Sequence, residues 1–382
     1  MKKSTSLLLA FSIVLLVSCD NGFDYPAFAP EPFSSLDDPF IFYTAIDPLH
    51  QKGLFTSQTR QSMFGTPIVG DDGYFCVYDF GTKSISRRLR YLKENLAVIL
   101  SPCLDKPSQR TYFPMGDGRI MLWDNASGSL SIFMSGLSTG PFPQLAATPS
   151  VSGKLFLLSN LILASDDKRY GMIIDPTTRQ VIWEPHLTEF STFIGYVDPI
   201  DDRFFCRLNA TNVEMVDISS KTVTSVRLAE DGYHRSSMAR IGNHYIVGQV
   251  PYDPSATGRP YYGLPEICYL SASDFSLQSK VVIGAELVPV ASGSDVIAIY
   301  PYNGELYVVV SSGTENTLLK WSAVDGKFLK WSVTFPSIWG LDRILSGGKV
   351  YFIANDNFAS FFFNALDLST GEVSGPETVW VY

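Results

Sequence analysis

The string GLSTG, Gly136 to Gly140, has the spacing of a nucleophile elbow, in which Ser138 would attack an acyl carbon. Such an elbow needs a strand before it and a helix after it. Here PFPQ follows, and its prolines forbid the helix, so the string reads as a loop between strands. General acid–base work would call for paired carboxylates, and Asp71 with Asp72, Asp166 with Asp167 and Asp201 with Asp202 supply them. All three pairs fall in expected turns ahead of strands, which makes them solvated turn residues. The four histidines, His50, His186, His234 and His244, have no second histidine at zinc-ligand spacing. Cys76, Cys103, Cys206 and Cys268 show no CxxC spacing either, so the sequence predicts no metal and no cofactor. Three of these cysteines sit inside apolar runs, where buried free thiols are expected in place of disulfides.

Recognition chemistry is better represented than catalysis. In VPYDPSATGRPYYGLP, Val250 to Pro265, the side chains of Tyr252, Arg259, Tyr261 and Tyr262 are of the types that concentrate at interface hot spots. The segment is far longer than an ordinary hairpin loop of about two to five residues. It is the candidate binding loop.

The elements that must hold these residues emerge from an internal repeat. VYDFGTKSI from Val77, LWDNASGSL from Leu122, IIDPTTRQV from Ile173, MVDISSKTV from Met215, YLSASDFSL from Tyr269, KWSAVDGKF from Lys320 and ALDLSTGEV from Ala365 stack without a gap. Their third column holds Asp79, Asp124, Asp175, Asp217, Ser271, Ser322 and Asp367, whose side-chain oxygens accept from the backbone two residues on and start a turn. The columns before the turn residue and at the end of each copy are wholly apolar. Gly128, Gly326 and Gly371 occupy the turn-glycine column, from which Lys83, Arg179, Lys221 and Phe275 depart.

Between successive hairpins lies room for two more strands, such as TFIGYVD with RFFCRL and HRSSMARI with HYIVGQV. Four-stranded units at this spacing predict an all-β chain, a single β-propeller of four-stranded blades. Seven blades fit, with Phe40 to Val69 supplying the inner strands of the first; the chain leaves length for an eighth, degenerate one. A repeat architecture also suits the length, since single cores stop growing near about 250–300 residues. Ser159 to Gly171 is then the third blade's counterpart of the candidate loop, on the same face. SRRLRY, Ser86 to Tyr91, reads as an exposed outer strand.

Composition narrows the partners. Charged residues make up 18% of the chain, aromatics 13%, and the net charge is −9, which argues for a large apolar interior and against nucleic acid or anionic lipid as partner.

Lys2 and Lys3 precede an apolar run from Leu7 to Val17, the pattern of a secretory signal peptide over residues 1–18. Leu16, Val17, Ser18 and Cys19 resemble the lipobox of bacterial lipoproteins. That resemblance implies cleavage before Cys19 and its acylation, palmitate included, which fixes the protein to a membrane of the cell envelope, because several acyl chains anchor where one binds only marginally. Residues 19–38, rich in proline and acids, read as a lipidated tether, and 39–382 as the propeller domain.

DPTTRQVIW from Asp175 and DLSTGEV from Asp367 resemble the repeat of quinoprotein-type propellers, in which Trp183 and, one place shifted, Trp331 would dock between blades. The vicinal cysteines of the family's quinone-dependent dehydrogenases are missing. A lipidated single-ring propeller is similar in architecture to the propeller lipoprotein of the outer-membrane barrel-assembly machine. The resemblance implies a non-enzymatic scaffold that presents one face to a protein or envelope polymer. The alternative is a propeller enzyme, a hydrolase or lyase acting on a glycan, peptide or lactone, with acids such as Asp198 and Asp342 converging on the central channel.

Overall fold

The computed structural model describes residues 39–381, apart from 48, 51, 60–71, 80–81, 83, 93–102, 106–107, 116–117, 139–143, 148–152, 164–167, 189–193, 207–211, 229–232, 253–262, 289–293, 313–314, 333, 337–343 and 356–359. The lipobox, Cys19 and the tether lie outside the described residues, as do Arg259, Tyr261, Tyr262 and Asp342.

The described strands form seven antiparallel sheets, each built from consecutive strands. Blade one is β1 (Pro39–Asp47), β2 (Lys52–Thr59), β3 (Asp72–Asp79) and β4 (Ser84–Leu92). Blade two is β5 (Cys103–Asp105), β6 (Arg110–Pro114), β7 (Ile120–Asp124) and β8 (Ser129–Met134). Blade three is β9 (Gln144–Ala147), β10 (Leu155–Leu163), β11 (Lys168–Asp175) and β12 (Gln180–Trp183), with β13 (His186–Thr188) added beside β11. Blade four is β14 (Ile194–Val197), β15 (Arg203–Cys206), β16 (Asn212–Asp217) and β17 (Thr222–Arg227). Blade five is β18 (Tyr233–Ile241), β19 (His244–Pro251), β20 (Glu266–Ser271) and β21 (Leu277–Val282). Blade six is β22 (Asp295–Tyr302), β23 (Glu305–Ser311), β24 (Glu315–Ser322) and β25 (Lys327–Lys330), with β26 (Phe335–Pro336) beside β24. Blade seven is β27 (Ile344–Ser346), β28 (Lys349–Asn355), β29 (Ser360–Asp367) and β30 (Val373–Val381). This is a β-propeller.

The ring closes because no blade buries its own faces. One apolar cluster joins each consecutive pair from blades one and two to blades six and seven. At the seam, β1 lies beside β28 of the last blade. Middle strands such as β23, ELYVVVS, are buried on both sides. Outer strands such as β21, LQSKVV, are largely exposed. Phe156, Phe204 and Phe205 are fully buried, and each such side chain contributes about 1.5–3 kcal/mol.

The turn column acts as the sequence predicts, with reach to a second neighbour. Asp79, Asp124 and Asp217 accept from the N–H three residues on, while Asp175 and Asp367 accept from both the second and the third. Ser271 accepts through its hydroxyl from the second N–H on, and Ser322 from the third. The glycine column holds too, in backbone terms: Arg179, Lys221 and Phe275 take φ of 55°, 53° and 61°, in the left-handed region that Gly128, Gly326 and Gly371 occupy. At these three only the residue type departs; Lys83 lies outside the described residues.

A further column went unread in the sequence. Asp47 and Asp105, the last residues of β1 and β5, and Asp198, just after β14, are buried where the first strand of each blade ends. Asp47 accepts from the N–H of Leu49 and His50, and Asp198 from those of Ile200 and Asp201.

One loop expectation is corrected. Ser159 to Gly171 is mostly strand: β10 and β11 extend past a bulge between Leu158 and Ile162, and β13 pairs with the extension. Ile162 and Leu163 continue the ladder against Arg169 and Lys168 where a loop was expected. Cys76, Cys103, Cys206 and Cys268 are buried free thiols as anticipated. Trp183 and Trp331 pack between blades, and the Trp331 indole donates to the carbonyl of Leu368 at 2.9 Å. After Gly136 to Ser138 the next described element is β9, a strand where an elbow would need a helix.

Candidate binding site between blades four and five

Consecutive antiparallel strands reverse direction, so the first–second and third–fourth connections of a blade share one face of the ring, and the second–third connection lies on the other. Alternate residues also point to opposite sides of a strand. In β19, Tyr245 and Val247 join the cluster shared with blade four, while Ile246 joins the one shared with blade six.

On the face with the hairpin turns, blades four and five are locked by charges. Asp198, 1% exposed, takes the Tyr245 hydroxyl on Oδ2 at 2.5 Å, with Arg240 Nη1 3.6 Å away. Arg240 lies over the Tyr245 ring at 4.6 Å, donates through Nε to the Gly242 carbonyl at 2.6 Å and reaches Asp201 at 3.5 Å. Arg203 donates through Nε to Asp217 at 3.0 Å, and its Nη1 reaches the carbonyl of Ala272 in blade five. Burial, then the hydrogen bond to Asp198, raises the Tyr245 phenol well above its usual range. For Asp217 burial pushes the carboxyl up, but the N–H of Ser220 and the Arg203 guanidinium outweigh it and hold the group below the ordinary value.

This arrangement corrects two expectations. Asp198 is not poised over a channel; its oxygens are committed to a turn and to the next blade. Asp202 is not a solvated turn residue but 8% exposed, and the N–H of Ile218 donates to its carbonyl. Sequence reasoning missed Arg203, Arg240 and Tyr245 because the partners come from five different strands and turns.

Beside this lock, along the same interface, lies an open cavity of about 170 Å³. Leu228, Cys268, Leu270, Phe275 and Leu277 line it, together with Arg227 and Lys280. The Phe275 ring is stacked on Tyr245 at 5.4 Å and 3°. Gln249, 2% exposed, completes the lining; its Nε2 donates to Glu266 at 2.8 Å, and its Oε1 accepts no hydrogen bond. A buried acceptor left so costs about 1–3 kcal/mol. Lys280 pairs with the same Glu266 carboxylate at 3.3 Å, which raises its pKa.

The candidate loop grows out of this polar end. Gln249 and Glu266 are opposite partners in the ladder, immediately inside the two stems of the connection from β19 to β20. Tyr252, half-buried, follows β19 directly; Gly263, at φ 88°, turns back against Pro251, and the Pro265 carbonyl accepts from Ile283. The other three predicted binding residues, Arg259, Tyr261 and Tyr262, lie outside the described residues. Two signals pointed to the cavity in retrospect: Phe275 in a glycine column, and Gln249 inside the apolar run HYIVGQV.

No protein-family model matches the chain, and no curated protein sequence matches it. Among solved structures, it is similar to the β-propeller domain of the Trilobed protease from Pyrococcus furiosus, at 9% identity and a TM-score of 0.48, over 91% of this chain and 97% of that one. It is also similar to the acylaminoacyl peptidase of Pyrococcus horikoshii, at 11% identity and a TM-score of 0.52, over 90% of this chain and 53% of that one. The chain thus spans about half the length of the second protein, and the likeness is one of fold.

Proposed function

We propose that this chain is a lipid-anchored propeller of the bacterial cell envelope. It binds a protein or envelope polymer without transforming it, and blade five carries the binding loop. The observation that carries this reading is the rooting of the Tyr-Arg loop. Its stems stand on a buried Gln249–Glu266 rung braced by Lys280, so a long connection leaves the ring from a fixed base. A fixed base lowers the ordering cost of a binding loop. The lipobox at Cys19 supports the anchor, and the repeat supports kinship with quinoprotein-type propellers.

The enzyme alternative takes support from the likeness to a peptidase, of which this chain spans 53%. Asp198 lends it none, because that carboxylate is buried and bonded.

In-cell cross-linking of three proteins tests the proposal: the intact chain, Cys19→Ser, and a form with residues 252–264 replaced by a two-residue turn. The intact protein is expected in the membrane fraction with a captured partner. Cys19→Ser loses fatty-acid labelling and leaves the membrane. The shortened form stays on the membrane and keeps its melting temperature within a few degrees, since loop length changes closure cost by only about 0.6 kcal/mol per doubling, but it loses the partner. Undiminished labelling of Cys19→Ser refutes the anchor, and capture by the shortened form refutes the loop.

A further inference from the structure

We propose that the outer edge of blade four is a docking site for an extended segment of another polypeptide, which adds a fifth strand along β17 and lays one bulky apolar side chain in the cavity beside it. The site lies apart from the blade-five loop and does not depend on it.

The outermost strand of a sheet leaves one row of backbone N–H and C=O groups unpaired, and proteins blunt such edges with charges, proline or bulges. Among the described outer strands, β4, β8, β12, β21 and β30 carry a register shift, and β25 begins and ends in lysine. β17, TVTSVR, has none of these devices from Thr222 to Val226, and its ladder with β16 runs without a shift. No described strand pairs with its outer edge. An extended segment satisfies such an edge through its main chain and gains specificity from pockets that take its alternate side chains.

The direction of each group follows from the hairpin. In this repeat the pair that closes the turn is hydrogen-bonded, Ser271 N–H to the Ser276 carbonyl in blade five and Asp367 N–H to the Glu372 carbonyl in blade seven. Counting from the matching pair, Asp217 and Thr222, every second pair is not bonded across the ladder. Val223 and Ser225 fall in those pairs and turn N–H and C=O outward. Side chains alternate as well: Val223 packs toward blade three and Val226 toward blade five.

A residue of the added strand opposite Val226 therefore points its side chain toward blade five. The open cavity lies on that side, lined by Leu228, which follows β17 directly, and by Leu270, Phe275 and Leu277. Leu277 is 50% exposed, whereas Phe328, in the same column of the repeat, is 2% exposed. An apolar side chain on the added strand covers it. A second copy of this chain does not supply one. Antiparallel pairing of β17 with itself about a two-fold axis keeps even-numbered residues opposite even-numbered ones, so Thr222 or Thr224 would stand opposite Val226. The occupant is thus a foreign segment with an aromatic or long aliphatic residue at that place.

The test uses full-length protein in detergent and three peptides, followed by titration calorimetry and by hydrogen exchange of the β17 amides. They are acetyl-KTVTFTVK-amide, the same peptide with serine in place of phenylalanine, and the phenylalanine peptide N-methylated at its threonines, whose N–H groups face the ladder when the phenylalanine faces the cavity. The expected result is saturable one-to-one binding of the phenylalanine peptide with slowed exchange over Thr222 to Arg227, and binding about tenfold weaker or worse for the other two. Ser225→Pro removes an outward N–H at an edge position where proline is tolerated, so it should keep the melting temperature within a few degrees and weaken the phenylalanine peptide about tenfold. Leu277→Glu, at an exposed position, should erase the advantage of phenylalanine over serine. The loop-shortened form should bind as the intact protein does. Absence of saturable binding, equal affinity for the phenylalanine and serine peptides, or full affinity in Ser225→Pro would overturn the proposal. Dimerisation in sedimentation that Ser225→Pro abolishes would assign the edge to a second copy and overturn the occupant. If Ser225→Pro fails to fold, the N-methylated peptide decides in its place: full affinity for it refutes pairing along the edge.

Discussion

Blade five meets its two neighbours in different ways. Toward blade six its side chains are Ala239, Ile246 and Ile267 against Val296, Ile299 and Val308, a mainly apolar contact crossed by the Ser237 hydroxyl donating to the Val296 carbonyl at 2.7 Å. Its closeness depends on Gly248, where a Cβ would stand 2.5 Å from Val296 Cγ1 and 2.6 Å from Ser237 Oγ. Toward blade four the same strands present Arg240, Tyr245 and Gln249, with an ion lattice and, beside it, an open cavity. Hydrophobic contacts are tolerant of small shifts, whereas buried charges fix one geometry and are unforgiving when one partner is removed. One face of the blade therefore supplies cohesion, and the other supplies registration beside an open cavity.

The largest effect should come from breaking the lattice. Arg240→Leu leaves Asp198 buried without its cation and is expected to lower stability by about 3–5 kcal/mol, read from denaturant midpoints; a loss under 1 kcal/mol would show that Asp198 is held by its turn alone. Gly248→Val attacks the other face by overpacking it against Val296. About 1–3 kcal/mol is expected, and a neutral result would mean that blades five and six have slack which the close contact hides.

Acid should then separate the two faces without mutation. The folded pKa of Asp217 lies below its unfolded value, so its contribution is present above the ordinary carboxylate pKa of about 4 and is lost as pH falls through the depressed folded value. Melting temperature should hold between neutral pH and about pH 5 and decline below about pH 4, and Asp217→Asn should flatten part of that decline. An unaltered slope in the variant would remove Asp217 from the account. The smallest effect is expected for Phe275→Gly. Relief of a left-handed aromatic residue, about 1–2 kcal/mol, nearly offsets loss of the stacked pair with Tyr245, about 0.5–1.5 kcal/mol. A loss beyond 3 kcal/mol would make the ring a core element and not a cavity wall.

Much of the fold was legible because it rests on local rules repeated along the chain. An aspartate or serine that starts a turn needs only its own neighbours, so seven turn residues could be aligned by eye, and six of the seven apolar residues before them are buried. A column of cations was equally repetitive yet passed unnoticed. Lys52, Lys154 and Arg203 reach the turn residues Asp79, Asp175 and Asp217 from a neighbouring strand. The lock and the cavity were harder for the same physical reason. Asp198 and Tyr245 are 47 residues apart, and whether Asp198 faces a channel or the next blade depends on the twist between sheets, which no local pattern encodes. The stems of the candidate loop were legible, because Pro251 and Glu266 bound the strands where the apolar alternation stops and resumes.

The seam between first and last blades differs from the other joints in one respect. The first sheet runs β1-β2-β3-β4 and the last β27-β28-β29-β30, so among the described strands neither end of the chain completes the sheet of the other. Every backbone ladder would survive if that joint parted. Among the described residues no backbone ladder crosses that joint, like the catch of a bracelet, while each other joint has a peptide connection across it. Dilation of the ring has a natural starting point at this joint, and a chain cut between any two other blades and rejoined at the catch would keep the same set of sheets.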